Sequence, residues 1–465
     1  MRFRWVFCQL ETLQHCLPQN VPRALRELPV SLDATYERVL KGIVTANQPH
    51  TYRLLQCLTV ASRPLRVDEL AEILAIDFDG AKEGLPELKE DWRWKDQKDA
   101  VLYMCSSLIS IVDDGPHRVV QFSHFSVKEF LTSDRLANSS TDVSHYHIPL
   151  EPAHTVIVKA CLGILLQSDN GPGVGETKAQ SRSPLAKYAA EHWADHAQFG
   201  NVSKSVEDAM RRLFDLAKPH FAAWVTLYDI DSAWESFGDY SEKIPRGSPL
   251  YYASLCGFGD LVTHLIDKHP HHLNARVGKK RSPLVAALLN KHFHIAELLH
   301  QHGANLRIRG NANLVLRAFG PINHTLLTAS SVGGFVDIGQ WLLDHGEDAN
   351  SRDVDGRTPL HWAAAYGNVE FVRMLLRYGI IVNAKSKDNC TSLHLASADG
   401  HVETVRLLLQ HGAEVTAQDL RNSTPLHSAA SWVSVKTTRL LLQHRANMKE
   451  RRTPAPKKFF QSHLE

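Results

Sequence analysis

Short apolar stretches in the second half of the chain recur at a fixed interval. Three segments align with one another: TPLHWAAAYGNVEFVRMLLRYG begins at residue 358, TSLHLASADGHVETVRLLLQHG at 391 and TPLHSAASWVSVKTTRLLLQHR at 424, so the period is 33 residues. The same register extends backwards to segments that begin at residues 325, 282 and 248. Six copies of one structural unit are therefore predicted.

Each unit predicts two short amphipathic helices. In the copy from 358, Thr358 and Pro359 suit a helix start, because a hydroxyl group caps free amides and proline fits the first turn. Gly367 offers the positive φ that ends the first helix, and Gly379 ends the second, whose apolar residues share one face. Neither helix can bury its apolar face alone, so stacking of neighbouring units must build the core.

Some positions depart from this pattern. Lys291 and Val433 stand where other units have the glycine between helices, and Arg445 replaces the glycine that closes the second helix. A β-branched residue at positive φ costs roughly 1–2 kcal/mol, so we expect the last unit to adjust its turns and to act as a cap or to fray. The spacing stretches from 33 to 43 residues between Arg307 and His324, which predicts an inserted loop.

The units resemble ankyrin repeats, whose pattern is T-P-L-H-x-A-A, then Gly, then V-x-x-L-L-x-x-G-A. The resemblance covers about 248–450, and we assign 248–456 to the array and 457–465 to a tail. It implies that the TPLH histidines bond backbone groups of the neighbouring repeat and that protein partners bind the concave face. The expected partner-binding residues are Tyr252, Arg352, Trp362, Tyr366, Lys385, Lys387, Asp399, Arg421 and Trp432. For Trp362 and Trp432, packing against the next repeat is an equal alternative.

The first half of the chain predicts a helical module with one hairpin. LLQCLTVAS at 54–62, RVDELAEILAI at 66–76 and DAVLYMCSSLI at 99–109 have helical apolar spacing. The β runs LISIV and RVVQF flank DDGPH, and SVKEFL begins a further helix. This order suggests a winged-helix-like domain over 46–137, followed by an α-helical spacer over 150–235.

Several segments resemble the winged-helix part that follows the nucleotide-binding core in fungal NACHT–ankyrin proteins. They are LPVSLDATYERVL at 28–40, RPLRVDELAEILA at 63–75, VQFSHFSVKEFL at 120–131 and YAAEHWADH at 188–196. These proteins belong to the STAND class of signalling NTPases, in which a nucleotide-operated switch is joined to a repeat array that senses a ligand. The resemblance implies that residues 1–45 are a helical remnant of the NACHT region. It also implies that His124, in the motif F-x-H-x-S-x-x-E-F, touches the diphosphate of ADP in the resting state.

A phosphate-binding loop is missing from the sequence. Such a loop needs G-x-x-x-x-G-K-[ST], so that backbone amides and a lysine surround the phosphates. Gly278-Lys279-Lys280 lacks the upstream glycine, and GPGVGET at 171–177 lacks the lysine. We therefore expect a partial member of the class without independent NTP hydrolysis. His124 is then either a residue hydrogen-bonded between strand and helix, or a nucleotide sensor conditional on a separate nucleotide-binding domain.

Composition and charge exclude several classes of partner. The chain has 43% hydrophobic and 22% charged residues, a formal charge of +2 and a pI of about 8.1, so no basic field would attract nucleic acid or a membrane surface. The seven cysteines are odd in number and scattered in apolar helical patterns, as expected of reduced core thiols. No signal peptide and no apolar run of about 20 residues is evident, and we expect a cytoplasmic protein.

Two histidine patterns could suggest chemistry but favour structure. His192 and His196 lie one helical turn apart, yet a third metal ligand is not evident, so neither a metal nor another cofactor is expected. The TPLH histidines 361, 394 and 427, and the histidines 302, 345 and 411 before helix-closing glycines, are architectural. The basic run KERRTPAPKK at 449–458 is expected to be a solvated tail.

The sequence thus predicts a mainly α protein with a winged-helix-like module, a small β-hairpin, a helical spacer and an ankyrin-repeat solenoid. Its expected function is a non-enzymatic protein-binding scaffold in a STAND-type intracellular signalling or defence receptor. One alternative is the regulatory part of a nucleotide-switched NTPase whose P-loop core is absent. Another is a winged-helix DNA-binding regulator using Arg66 and Arg118, although three acidic residues follow Arg66 and oppose phosphate contact. The partner's identity and the oligomeric state stay open.

Overall fold

A computed structural model provides the structure of the protein, which forms two compact units, Met1–Pro270 and His271–Glu465. Only the backbone is described for residues 105, 310–311, 323–324 and 446–452. Residues 1–30 of the predicted helical remnant, the GPGVGET segment, Val433 and the tail lie outside the described residues. The structure describes residues 31–80, 85–105, 107–139, 142–167, 183–232, 247–278, 282–306, 310–311, 323–432 and 434–452.

The first unit begins with helices around a small antiparallel sheet. Helix α3 (Val67–Leu74) packs on α4 (Gln97–Cys105) and on a later helix, α8 (Leu185–Ala197). The sheet has the strand order β1 (Leu65–Arg66), β5 (His117–Phe122), β4 (Ile109–Asp114). The hairpin β4–β5 runs from Ile109↔Phe122 to Asp114↔His117, and Gly115 makes its turn at φ 57°. The elements are α1 Leu32–Lys41, α2 Gln48–Val60, β1 Leu65–Arg66, α3 Val67–Leu74, β2 Ile76–Asp77, β3 Glu87–Leu88, α4 Gln97–Cys105, β4 Ile109–Asp114, β5 His117–Phe122, α5 Phe125–Leu131 and α6 Asp134–Ala137.

The sheet is larger than the hairpin that the sequence indicated. Residues Leu65 and Arg66 form β1, which pairs antiparallel with Val120 and Val119 of β5. A two-residue strand has too few positions to show an alternating pattern, so its pairing depends on tertiary contacts. Helix α4 also ends at Cys105, earlier than the apolar spacing suggested.

The start of α3 is fixed by a buried carboxylate. Glu69 is fully buried, and both of its oxygens accept hydrogen bonds from the guanidinium of Arg63, at 2.7 and 2.8 Å. The backbone N–H of Arg66 also donates to Glu69, at 2.7 Å. Burial raises the pKa of Glu69, but these hydrogen bonds and the charges of Arg63 and Arg66 outweigh burial and leave the pKa below its usual value.

A helical spacer follows the winged-helix-like module, and its core is aromatic. Trp193 on α8 contacts Trp224, Phe214 and Phe258, with ring centroids 5.3, 6.2 and 5.4 Å away. Phe258 belongs to the first ankyrin-type helix pair, which is therefore packed against the spacer within the first unit. The elements are α7 Leu150–Leu166, α8 Leu185–Ala197, α9 Val202–Ser205, α10 Glu207–Leu213, α11 His220–Leu227, α12 Pro249–Cys256 and α13 Gly259–Lys268.

Five further helix pairs lie in the described part of the second unit. Gly367 and Gly379 adopt φ values of 65° and 69°, which confirms the predicted helix ends. Lys291 keeps the same turn at φ 62°, so a side chain is accommodated where other pairs have glycine. The pairs are α14 Pro283–Leu289 with α15 Phe293–Gln301, α16 Leu326–Gly333 with α17 Val336–Asp344, α18 Pro359–Ala365 with α19 Val369–Arg377, α20 Ser392–Ala398 with α21 Val402–Gln410, and α22 Pro425–Ser431 with α23 Val435–Arg452.

Two predicted irregularities have structural counterparts. The inserted loop is bounded by a short antiparallel ladder, in which β6 Gly310–Asn311 pairs with β7 Asn323–His324. Helix α23 continues through Arg445 to Arg452, so the missing glycine lengthens the last helix. The predicted fold class, mainly α with a winged-helix-like module and an ankyrin solenoid, is confirmed.

The apolar character of the helices and the state of the cysteines can be compared with the expectations from the sequence. Among the described residues, none of the helices combines the length and the apolar character that a membrane crossing requires. Four cysteines are free thiols: Cys57, Cys161 and Cys256 are buried and Cys390 is half-buried. Burial raises the pKa of the Cys57 thiol to about 12, so it stays protonated near neutral pH.

Candidate functional site

The TPLH histidines hold the first helices of the array in place. At the start of α18, Nδ1 of His361 accepts from the backbone N–H of Thr358 at 3.0 Å and lies 2.9 Å from its hydroxyl group. Nε2 must then carry the proton, and it donates to the carbonyl of Cys390 at 3.0 Å, in the next hairpin. His394 repeats the arrangement with the carbonyl of Ser423 at 3.1 Å. The architectural interpretation of these histidines is confirmed.

Trp362, the residue after His361, is a largely buried anchor. Its indole Nε1 donates to Asp353 Oδ2 at 2.9 Å, and the Arg357 guanidinium lies 5.0 Å from the ring centroid, above the ring. Tyr366, one turn along α18, stacks at 6.3 Å with an interplanar angle of 14°. Because these neighbours cover it, Trp362 is only 7% exposed, which favours the packed alternative over an exposed partner-binding side chain.

Tyr366 and Asp399 extend this group along the array. Tyr366 is half-buried, and Asp399 is exposed at the end of α20. The pKa of the Tyr366 hydroxyl is raised, first by burial and then by the negative charge of Asp399. The structure therefore brings together three predicted residues with one that the sequence analysis missed. We call Arg357, Trp362, Tyr366 and Asp399 the first-helix cluster.

Tyr252 is not available to a partner. It is fully buried in the first unit, with its ring 5.6 Å from Phe221 and 5.8 Å from Trp224, and its hydroxyl donates to Asp229 at 2.7 Å. Burial and the charge of Asp229 raise its pKa. The expectation that Tyr252 is an exposed anchor was wrong, because spacer helix α11 covers the position that is open in a free repeat.

The predicted basic residues at the hairpin tips are exposed, and one of them holds the tips together. The Arg352 guanidinium donates to the carbonyls of Gly356 at 2.9 Å and Lys385 at 2.7 Å, and so joins two successive hairpins. The backbone N–H of Lys387 donates to the backbone carbonyl of Asp355 at 2.8 Å, which fixes the same pair of hairpins. Arg421 is exposed on the next hairpin.

Trp432 differs from Trp362 although both follow a TPLH turn. It closes α22 and is 71% exposed, so packing against a next repeat is not its role among the described residues. An indole of this size in water is a frequent interface anchor.

His124 has the structural role that the sequence allowed. It caps α5: its Nδ1 accepts from the backbone N–H of Ser126 at 3.2 Å and lies 2.5 Å from the Ser126 hydroxyl. That hydroxyl is 2.8 Å from the Tyr36 hydroxyl on α1. The chain Tyr36–Ser126–His124 joins the first helix to the strand–helix turn and leaves only Nε2 of His124 for any other partner.

The pair His192 and His196 is not arranged as a metal site. His196 is buried, with Nε2 2.8 Å from the Tyr188 hydroxyl and Nδ1 2.9 Å from Nδ1 of His154. Burial, followed by the charge of His154, lowers its pKa to about 4. Within the part of the chain that the structure describes, no group of three potential metal ligands comes together.

Family models match both halves of the chain. The model described as ankyrin repeats (3 copies) matches residues 310–386 and 326–419, and the single ankyrin repeat model matches 421–453. The model described as the GPI inositol-deacylase winged helix domain matches 36–142. Ankyrin repeats and a winged helix domain are therefore present, and the repeats make the chain a protein-interaction scaffold.

Two curated relatives are similar over parts of the chain. "Azaphilone pigments biosynthesis cluster protein L" from Monascus ruber is 31% identical over 296 residues, which are 61% of this chain and 61% of the relative. The chain thus spans about three fifths of the length of that protein. "Alpha-latrocrustotoxin-Lt1a" from Latrodectus tredecimguttatus is 33% identical over 76 residues, which are 16% of this chain and 5% of the relative.

Proposed function

We propose that this chain is a non-enzymatic, cytoplasmic interaction portion of a STAND-type signalling or defence receptor, and that its ankyrin array binds a protein partner through the first-helix cluster. The observation that carries the proposal is the arrangement of Arg357, Trp362, Tyr366 and Asp399. A half-buried phenol and charges of both signs, supported from below by a buried indole, form a surface typical of protein interfaces.

The first-helix cluster is held in place before any partner binds. Asp353 fixes the indole of Trp362, and His361 ties the start of α18 to the following hairpin. Arg352 adds two further hydrogen bonds between hairpins. Binding therefore costs little free energy for ordering the side chains of the array, and preorganisation of this kind raises affinity.

Loss of Tyr366 and Asp399 should weaken partner binding by about tenfold or more, because interface anchors contribute more than about 1 kcal/mol each. The immobilised full chain, as the wild type and as Tyr366→Ala/Asp399→Ala, is used to capture partner proteins. The amount of each protein captured is then compared between the two. Trp362 is left intact, because removing a buried indole would disturb folding.

Arg373→Ala is the matched control, since Arg373 is exposed on the second helix of the same pair. It should capture the same proteins as the wild type. If the double variant keeps its melting temperature and still captures those proteins at the wild-type level, the first-helix cluster is not the binding site.

The structure favours a scaffold over DNA recognition for the winged helix. Helix α3, the expected recognition helix, is buried along nearly its whole length and packs on α8 of the spacer. Arg66 lies 3.2 Å from Glu69 and 3.4 Å from Asp68, and it donates to the carbonyl of Pro184 at 3.2 Å. A covered helix cannot enter a major groove, which DNA reading by this motif requires.

The receptor assignment is supported by similarity in both halves. The winged helix domain precedes the ankyrin array along the chain, which is the order of the fungal NACHT–ankyrin proteins that the sequence resembles. The relative from Monascus ruber is similar over 61% of this chain. In such a receptor the nucleotide switch would lie in a P-loop domain, and the array would sense the ligand.

This chain alone should not bind ADP measurably, because it has no phosphate-binding loop sequence and Nδ1 of His124 is committed to Ser126. Isothermal titration calorimetry of the purified chain with ADP is the measurement. Micromolar binding that is lost in His124→Ala, and kept in His117→Ala in the wing, would instead favour the nucleotide-sensing alternative.

A further inference from the structure

A loop of the winged helix domain presents aromatic side chains to water although it is attached to helix α3 by an ion pair and a backbone hydrogen bond. Residues Glu90–Trp92 form a short 3-10 helix, after which the Arg93 guanidinium forms an ion pair with Glu72. Glu72 is buried on α3, and burial raises its pKa whereas Arg93 lowers it. The backbone N–H of Lys89 donates to Ala75 at 3.0 Å, so the loop is attached to α3 at both ends.

The loop carries two exposed indoles, and one of them, Trp94, lies beside an exposed ring of α4. Trp92 and Trp94 are each 44% exposed, and Tyr103 is 65% exposed. The ring centroids of Trp94 and Tyr103 are 6.0 Å apart, with an interplanar angle of 40°. We call Trp92, Trp94 and Tyr103 the aromatic platform. Large aromatic side chains that stay in water on a fixed backbone are characteristic of interaction surfaces.

The charges around the aromatic platform are predominantly negative. Asp99 lies four residues before Tyr103 on α4, so both side chains are on one face of the helix. Glu90, Asp91 and Asp96 are also exposed, whereas Lys95 and Lys98 are the exposed bases of the same stretch. The charge of Arg93 is compensated by Glu72. A positively charged ligand therefore fits this surface better than an anion.

We infer that the aromatic platform, with Asp99, is a docking surface for an arginine-bearing segment of a protein partner. The ring faces attract a guanidinium group through cation–π contact and stacking, and the Asp99 carboxylate accepts hydrogen bonds from it. Arginine fits better than lysine, because its planar group stacks on an aromatic face. This surface lies in the winged helix domain, so the inference does not depend on binding by the ankyrin array.

The test measures fluorescence anisotropy of a fluorescein-labelled Gly-Arg repeat peptide titrated with the full chain. Gly-Lys and Gly-Glu repeat peptides of equal length are the comparisons. The Gly-Arg peptide should bind most tightly, and Trp94→Ala/Tyr103→Ala should weaken its binding about tenfold. Asp99→Asn should weaken it several-fold and reduce its dependence on salt. Phe125→Ala removes another exposed ring of the winged helix domain, at the start of α5, and should leave the affinity unchanged.

Several results would overturn the inference. They are an unchanged affinity in the double variant, equal binding of the Gly-Lys or Gly-Glu peptide, and the absence of any anisotropy change with the Gly-Arg peptide. A loss of affinity in Phe125→Ala equal to that in the double variant would also show that binding does not depend specifically on the aromatic platform. All substituted side chains are exposed, so the variants should keep the melting temperature of the wild type, which circular dichroism verifies.

Discussion

Replacing Trp193 by alanine should lower the free energy of unfolding of the first unit by roughly 3–5 kcal/mol. The indole is fully buried between the spacer and the first ankyrin-type helix pair, stacked on Phe258 and edge-on to Trp224. Its removal leaves a cavity that α8, α11 and α13 cannot close without moving. Urea unfolding followed by circular dichroism is the measurement.

Hydrogen exchange locates the effect of this substitution. Amides of α13 Gly259–Lys268 should exchange faster in Trp193→Ala, because Phe258 at the start of that helix loses its stacking partner. Trp432→Ala should change stability by no more than about 0.5 kcal/mol, since its indole is mostly in water. A loss below about 1 kcal/mol for Trp193→Ala would show that the aromatic core of the spacer does not stabilise the first helix pair.

The repeat spacing predicted the second unit well because each helix pair obeys local rules. Thr358, Pro359, Gly367 and Gly379 mark helix ends through capping and positive φ, and these effects act within a few residues of the chain. The histidine contacts followed from the same repeat, since Nε2 of His361 meets a carbonyl of the next hairpin. Periodicity thus carried most of the information about this part of the fold.

Exposure of the binding residues could not be predicted in the same way. Tyr252 occupies an open position in the repeat pattern, yet α11 of the spacer covers it, and the spacer has no repeat from which this packing could be inferred. Trp362 is covered by Arg357, whose position in the turn before the helix carries no signal of its own. The sequence does carry a signal for the aromatic platform. Two tryptophans, Trp92 and Trp94, flank Arg93 in a polar loop, which is unusual.

The stability of the array should fall as the pH is lowered from about 6.5 to about 4, and His361 should account for roughly 3 kcal/mol of the loss. Burial lowers the pKa of His361 to about 4, whereas the unfolded chain has the ordinary value near 6.5. Between these values the unfolded state binds more protons than the native state, so stability increases with pH. The physical reason is that a proton on Nδ1 would break the hydrogen bonds from Thr358.

His361→Gln and His427→Gln separate this effect from the titration of carboxylates. His427 has the same contacts with Thr424, at 3.1 and 2.9 Å, but it is exposed in the last helix pair. Urea unfolding at pH 7 and pH 4.5 should show that His361→Gln is less stable than the wild type at pH 7 and loses less stability on acidification. His427→Gln should keep the pH dependence of the wild type. Parallel pH profiles for the wild type and His361→Gln would mean that the buried imidazole does not set the acid sensitivity of the array, because only a titrating group can change the slope of stability with pH.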